Sequence, residues 1–321
     1  MGLQTRMYLL IVVMFAILYG IIVGIGTAIG VGGVLSYIIL ALVFVGLQYL
    51  ISPALVGWTM KVKWVSEKEE PELHRMVAEL AQEAHVPKPK VGISQLNIPN
   101  AFAYGRTQKD GRICVTQGMM KLVNKDELRA VLGHEMSHIR HRDMAVITLL
   151  SAIPMILYMI AWSTMWGGVS SRKGKNGNYA VLIGIGAFAL YFICNLLVLY
   201  GSRIREYYAD KGSVQLGNPP SELATALYKL VNGSARLKNS PELKQIEGAK
   251  SFFATNPSQA WNEVREVSQI DRNKDGRIDQ NELLVLRTTE VRLSFGQKVM
   301  EIFTTHPNML KRMKQLSTYA V

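Results

Sequence analysis

Residues His134, Glu135 and His138 read H-E-x-x-H. On a helix the two imidazoles stand one turn apart on one face and can reach a single metal ion, with the intervening glutamate placed to act as a base. Zinc suits this donor set, and a catalytic zinc needs a third protein ligand and one position left open. The segment SRIREYYAD offers that ligand. Glu206 and Asp210 are also one helical turn apart, so Glu206 could bind the metal while Asp210 accepts a hydrogen bond from a ligand histidine and fixes its tautomer. His141 is the rival third ligand. Three donors so close on one straight helix converge poorly on a tetrahedral ion, and His141 sits among Arg140, Arg142 and Asp143 as a surface histidine would.

In such a site Glu135 takes a proton from the water that the metal activates and passes it to the leaving amine. The developing oxyanion needs a further donor, for which His306, Tyr207, Tyr208 and Arg312 are candidates, His306 first among them.

A second motif follows at 271–282, DRNKDGRIDQNE. Asp271, Asn273, Asp275, the Arg277 carbonyl, Asp279 and Glu282 occupy positions 1, 3, 5, 7, 9 and 12 of an EF-hand loop, with Gly276 at the sharp turn and Ile278 at position 8. Flanking segments 261–270 and 282–287 could form its two helices. The loop is expected to take calcium or magnesium, or to serve as a structural turn, and no second hand is visible to pair with it.

These residues must be held by a chain that is 49% apolar and only 19% charged. No Asp, Glu, Lys or Arg occurs between Arg6 and Lys61, between Asp143 and Arg172, or between Lys175 and Arg203. About 20 helical residues cross a bilayer core, so the first gap has room for two spans and each of the others for one. Four membrane helices are expected, the second running from about Val34 to Ile51 and ended by Pro53. The expected organisation is a two-helix anchor at 1–60, a first soluble piece at 61–143, a second membrane hairpin at 144–202 and a second soluble piece at 203–321. Two crossings separate His138 from Glu206, which returns the third ligand to the side of the histidines. Lys and Arg are concentrated near the soluble ends of the spans, including Lys61, Lys63, Arg140, Arg142, Arg203 and Arg205, against Arg172, Lys173 and Lys175 in the second hairpin. That bias places both termini and both soluble pieces in the cytoplasm. The net charge of +12 is spread along juxtamembrane and soluble segments without a nucleic-acid-binding motif, which points to anionic lipid rather than nucleic acid. Cys114 and Cys194 carry no sign of an oxidising compartment. Nothing in the pattern indicates an oligomeric state.

In the first soluble piece, periodicity predicts a helix over 71–85 with Leu73, Met76, Val77, Leu80 and Ala84 on one face. Strands are predicted at Lys90 to Ser94, Ala101 to Tyr104 and Arg112 to Thr116. Asn124 with Glu127 three residues on reads as a capping box opening the helix that carries HEMSH.

HEMSH close to an apolar span, PNAFAYG upstream, REYYAD after the next hairpin and THPNMLKRMKQL near the end together resemble the HtpX family of membrane zinc metalloproteases, relatives of the type I CAAX prenyl protease. The resemblance covers nearly the whole chain. It implies an α+β membrane protein whose peptidase domain is mainly helical, of gluzincin type, with a small β-sheet. It also implies His134, His138 and Glu206 as zinc ligands, Glu135 as the catalytic glutamate, and a role in the quality control of membrane proteins at the plasma membrane. Asn100, Ala101, Phe102 and Ala103 resemble the family's substrate-facing edge strand, on which an extended polypeptide adds by main-chain hydrogen bonds. The EF-hand-like loop lies outside the family's core chemistry. The residues admit two other functions: a peptidase specific for prenylated C-termini, for which seven spans would be expected, and a non-enzymatic cation-binding scaffold, against which the intact Glu135 argues.

Overall fold

The computed structural model describes residues 53–170, 177–236 and 260–320, together with a few helical positions between 42 and 51. The first expected span, most of the second and the hairpin loop with Arg172, Lys173 and Lys175 lie outside the described residues. The chain divides into two compact units, one of 1–51 and 145–204 and the other of 52–144 and 205–321.

In the second unit a four-stranded sheet is built from β1 (Val62–Trp64), β2 (Lys90–Ser94), β3 (Ala101–Tyr104) and β4 (Arg112–Thr116). Its order is β1-β2-β4-β3. β2 and β4 run parallel, and β1 and β3 join as antiparallel edges. The three predicted strands occur at the predicted positions. β1 was not expected, because three residues with a lysine in the middle carry too little alternation to read as a strand. Residues 53–59 are helical.

Helix α1 (Pro71–Ala84) starts with proline in its first turn and stops where His85 takes a left-handed conformation, φ 55°. After the short α2 (Gln117–Leu122), helix α3 (Lys125–His141) opens on the anticipated capping box: Asn124 accepts from the Glu127 N–H, and the Glu127 carboxylate accepts from the Asn124 N–H. Each such cap contributes about 1 kcal/mol. α3 closes at Arg142, φ 57°, whose N–H donates back to the His138 and Ile139 carbonyls. The turn at Arg142 separates α3 from the next helix, α4 (Asp143–Ser170), and α5 (Gly177–Gln215) follows.

Helix α6 (Pro220–Arg236) packs its apolar face on α3. Leu223, Leu227, Leu230 and Val231 meet Val131, Leu132 and Met136 in one core with Leu73, Val77 and Leu80 of α1. α7 (Ala260–Val267), α8 (Gln280–Thr288), α9 (Phe295–Ile302) and α10 (Met309–Ser317) complete the described elements, and Met309, Met313 and Leu316 of α10 extend the same core.

Among the described residues, Asp143–Trp162 and Val181–Gln215 are the stretches long and apolar enough to cross a membrane, and most of each belongs to the first unit. Their apolar surfaces meet where Ile156, Ile160 and Ala161 pack against Ala187 and Ile183. Pro154 lies inside α4 without interrupting it.

Candidate active site

His134 and His138 project from one face of α3, and Glu206 reaches them from the last turns of α5. The Nε2 atoms of the two histidines are 3.1 Å apart, and the Glu206 oxygens lie 3.7 Å from His134 Nε2 and 3.6 Å from His138 Nε2. Among the described residues this is the one group of three histidine, cysteine or acidic side chains whose ligand atoms fall within 4.8 Å of one another. His141 is outside it: its Nδ1 is 3.1 Å from Ser137 Oγ and its ring stands 6.0 Å from that of Tyr208.

The surroundings decide where the ring protons sit. His134 Nδ1 is 2.9 Å from Asp210 Oδ1, and His138 Nδ1 is 2.7 Å from Asp143 Oδ2. A carboxylate accepts only, so each neutral ring carries its proton on Nδ1 and turns an unprotonated Nε2 inward. Two nitrogen lone pairs 3.1 Å apart beside a carboxylate repel one another unless a cation lies between them. The donor set and its spacing therefore fit a divalent metal of zinc type, with second-layer carboxylates orienting both histidines.

Each of those carboxylates is itself fastened by an arginine. Arg312 is fully buried and grips Asp210 with two parallel bonds, Nε to Oδ2 at 2.9 Å and Nη2 to Oδ1 at 2.6 Å, while its Nη1 stands 3.1 Å from Glu206 Oε2. Burial alone would ease its proton off, but Asp210 and Glu206 more than reverse this and raise its pKa. Arg205 pairs with Asp143 and also donates to the His141 carbonyl at 3.2 Å.

Glu135 is 5% exposed. Burial raises its pKa above the ordinary carboxylate value, against the pull of His138 and His134, and the backbone N–H of Ala103 donates to it. Ala103 belongs to β3, the edge strand of the sheet, so the predicted substrate strand and the predicted base are adjacent. Ala101 and Phe102 are buried. Asn100 is buried too, with its N–H and carbonyl both bonded to Thr116. What β3 offers a ligand is therefore main chain more than side chain.

His306 precedes α10 and brings Nδ1 to 3.2 Å from Glu206 Oε2. Of the four candidate oxyanion donors, Arg312 is committed to Asp210 and Glu206, and His306 is beside the ligand group.

Comparison with known proteins decides the family. The model of peptidase family M48 matches residues 67–320. The chain belongs to peptidase family M48. It is 53% identical over 229 residues to a protein named protease HtpX homolog from Methanothermobacter thermautotrophicus, covering 71% of this chain and 86% of the relative. It is 32% identical over 321 residues to the protease HtpX homolog of Moorella thermoacetica, covering 98% and 93%. Among solved structures it resembles S. mikatae Ste24p with a TM-score of 0.52 at 14% identity, over 98% of this chain and 64% of that one, which is a likeness of fold. This M48 chain is a membrane-bound metalloprotease of the HtpX family.

Two residues that no sequence motif announces support this M48 site. Asp143 lies five positions beyond His138, where an unbroken helix would turn it away from the ring; the turn at Arg142 brings it there. Arg205, in sequence a juxtamembrane charge, pairs with it.

The EF-hand-like loop folds with Gly276 at φ 80° and Lys274 at φ 58°. Asp271 accepts from the N–H groups of Asp275 and Gly276 and from the Tyr228 hydroxyl, and Glu282 accepts from those of Arg272 and Asp279. Asn273 and Asp275 bond to each other and to the loop backbone. Asp279 caps α8, and the Ile278 N–H and carbonyl are both bonded to the Thr225 hydroxyl of α6.

Proposed function

We propose that His134, His138 and Glu206 hold one zinc ion and that Glu135 is the base for hydrolysis of peptide bonds in exposed or misfolded membrane proteins at the cytoplasmic face. The observation that carries this reading is the pair of Nε2 atoms 3.1 Å apart beside Glu206, each ring backed at its Nδ1 by a carboxylate. When bound, zinc supplies Lewis-acid polarisation of the scissile carbonyl and lowers the pKa of water at the site. Glu135, held by the Ala103 N–H, takes a proton from the attacking water and returns it to the leaving amine. The segment Asn100 to Ala103 receives the substrate as an added strand. His306 donates to the oxygen that gains charge in the transition state.

The same reading takes four membrane helices, two of them within residues 1–60 and two within 144–202, with peptidase residues at 61–143 and 203–321. Both termini and the catalytic residues lie on the cytoplasmic side of the plasma membrane. The substrate is an unstructured polypeptide; the prenyl-specific alternative would call for seven spans.

Asp271, Asn273, Asp275, Arg277, Asp279 and Glu282 take a calcium or magnesium ion in this proposal, supported by the loop's left-handed turns at Lys274 and Gly276. The ion would replace backbone N–H groups at Asp271 and Glu282 and stiffen the segment that precedes α9 and His306. An Asp271→Asn, Glu282→Gln double variant should then lose any calcium- or magnesium-dependent rise in unfolding midpoint; equal midpoints with and without either ion in the parent protein would refute the loop's role.

The zinc site is tested by stripping the full chain in detergent with a chelator and adding metal back. Cleavage of unfolded casein should vanish and return with about one equivalent of zinc, and Glu206→Gln should fail to recover. Full cleavage by the stripped protein would overturn the proposal.

A further inference from the structure

Either side of Lys61, which closes the uncharged stretch, the chain presents two tryptophans to the outside. Trp58 is 80% exposed and Trp64 45% exposed. Between the helical residues 53–59 and the sheet lies an open cavity of about 370 Å³, lined by these two rings with Lys90, Arg112, Gly57 and Val62 among its walls. Two cations line it and no acidic side chain does.

Arg112 is held in a fixed attitude there. Its guanidinium carbon stands 5.9 Å from the centre of the Trp64 ring and 5.5 Å from that of Tyr104, and Nη2 donates to Asp110 Oδ1 at 2.9 Å. Its Nε is buried and has no hydrogen-bond partner. A guanidinium gripped by a carboxylate on one edge and flanked by rings keeps its remaining donors oriented for a further oxyanion. Lys90, whose side chain is exposed, adds a second charge at the rim. None of these residues takes part in the metal site.

We propose that this cavity binds the phosphate headgroup of an acidic phospholipid. The cations take the phosphodiester, and Trp58 and Trp64 lie against the glycerol and the first methylenes of the chains. Three observations favour a lipid over a free phosphate. Indole rings form two of the walls, which a bare ion would leave unused. Leu55 on the same helical residues is 55% exposed. The segment is also continuous in sequence with the long uncharged stretch, where tryptophan and basic residues gather at the edge of a bilayer. A bound anionic lipid would anchor β1 and, through the sheet, the frame on which β3 faces Glu135.

The test is native mass spectrometry of the full chain released from detergent, titrated with phosphatidylglycerol or phosphatidylcholine of matched chains. The wild type should bind the first phosphatidylglycerol at least about threefold more tightly than phosphatidylcholine. That preference should disappear in Lys90→Gln and in Arg112→Gln, and Trp58→Ala should weaken both lipids. Lys90 and Trp58 are exposed, so these variants fold even if Arg112→Gln does not. No preference in the wild type, or an unchanged preference in both Lys90→Gln and Arg112→Gln, would overturn the proposal. If millimolar inorganic phosphate displaces the lipid completely and binds equally well in Trp58→Ala, the site takes a free anion and the lipid assignment is wrong.

Discussion

His138 and Asp143 meet at 2.7 Å across the break between two helices, Nδ1 of the ring against Oδ2 of the carboxylate. The contact exists because Arg142 adopts a left-handed conformation and turns the chain. It matches the contact of His134 with Asp210 at 2.9 Å, so both histidines of the HEMSH motif are oriented from behind by a carboxylate that an arginine secures.

Removing the first of these carboxylates should loosen the metal. Asp143→Ala is expected to weaken zinc affinity about 10- to 100-fold in competition with a chromogenic chelator. Asp143→Asn should fall between Ala and wild type, because an amide oxygen can still accept from Nδ1–H. Equal zinc affinity in all three proteins would remove Asp143 from the site.

Arg312 has a heavier structural role. It is buried and answers two carboxylates at once, so Arg312→Met leaves Asp210 and Glu206 without their counter-charge. Breaking such a buried network costs about 3–5 kcal/mol. The unfolding midpoint in detergent should fall by roughly 6 °C or more. Arg312→Lys should rescue little, since an ammonium cannot reproduce the paired Nε and Nη2 bonds to Asp210. A midpoint within about 1 °C of wild type for Arg312→Met would contradict this.

The pH dependence of stability should carry the mark of Glu263. Burial pushes its carboxyl up to about 7, opposed by the Met309 N–H and Arg312 and reinforced by Glu266 and Glu301. The folded form then holds more protons than the unfolded form between the ordinary value of 4.5 and about 7. Stability from this group is therefore complete below 4.5 and is lost as pH rises through about 7. Glu263→Gln imitates the protonated carboxyl. It should match wild type near pH 5 and melt higher by about 2 °C or more at pH 8. A variant that melts lower than wild type at pH 8 would show that the charged form is the stabilising one.

Much of the centre was legible in the sequence because its residues are local. His134, Glu135 and His138 share one helix whose start is written in Asn124 and Glu127, and Glu206 and Asp210 share another. The strands β2, β3 and β4 were legible because each is a short, largely apolar run set between Asn, Pro and Gly turn signals. The groups that were not legible depend on distant chain or on a broken helix. Arg312 grips Asp210 across 102 positions, Asp143 faces His138 only after the turn at Arg142, and no periodicity announces either.

The central claim is that Glu135 moves the proton while the histidines and Glu206 hold the metal. The direct measurement is casein cleavage by the detergent-purified full chain and by Glu135→Gln, with bound zinc assayed in both. The account predicts about one zinc per chain in each protein and cleavage lowered by at least about a hundredfold in the variant. Cleavage by Glu135→Gln at the wild-type rate with zinc fully bound would contradict it.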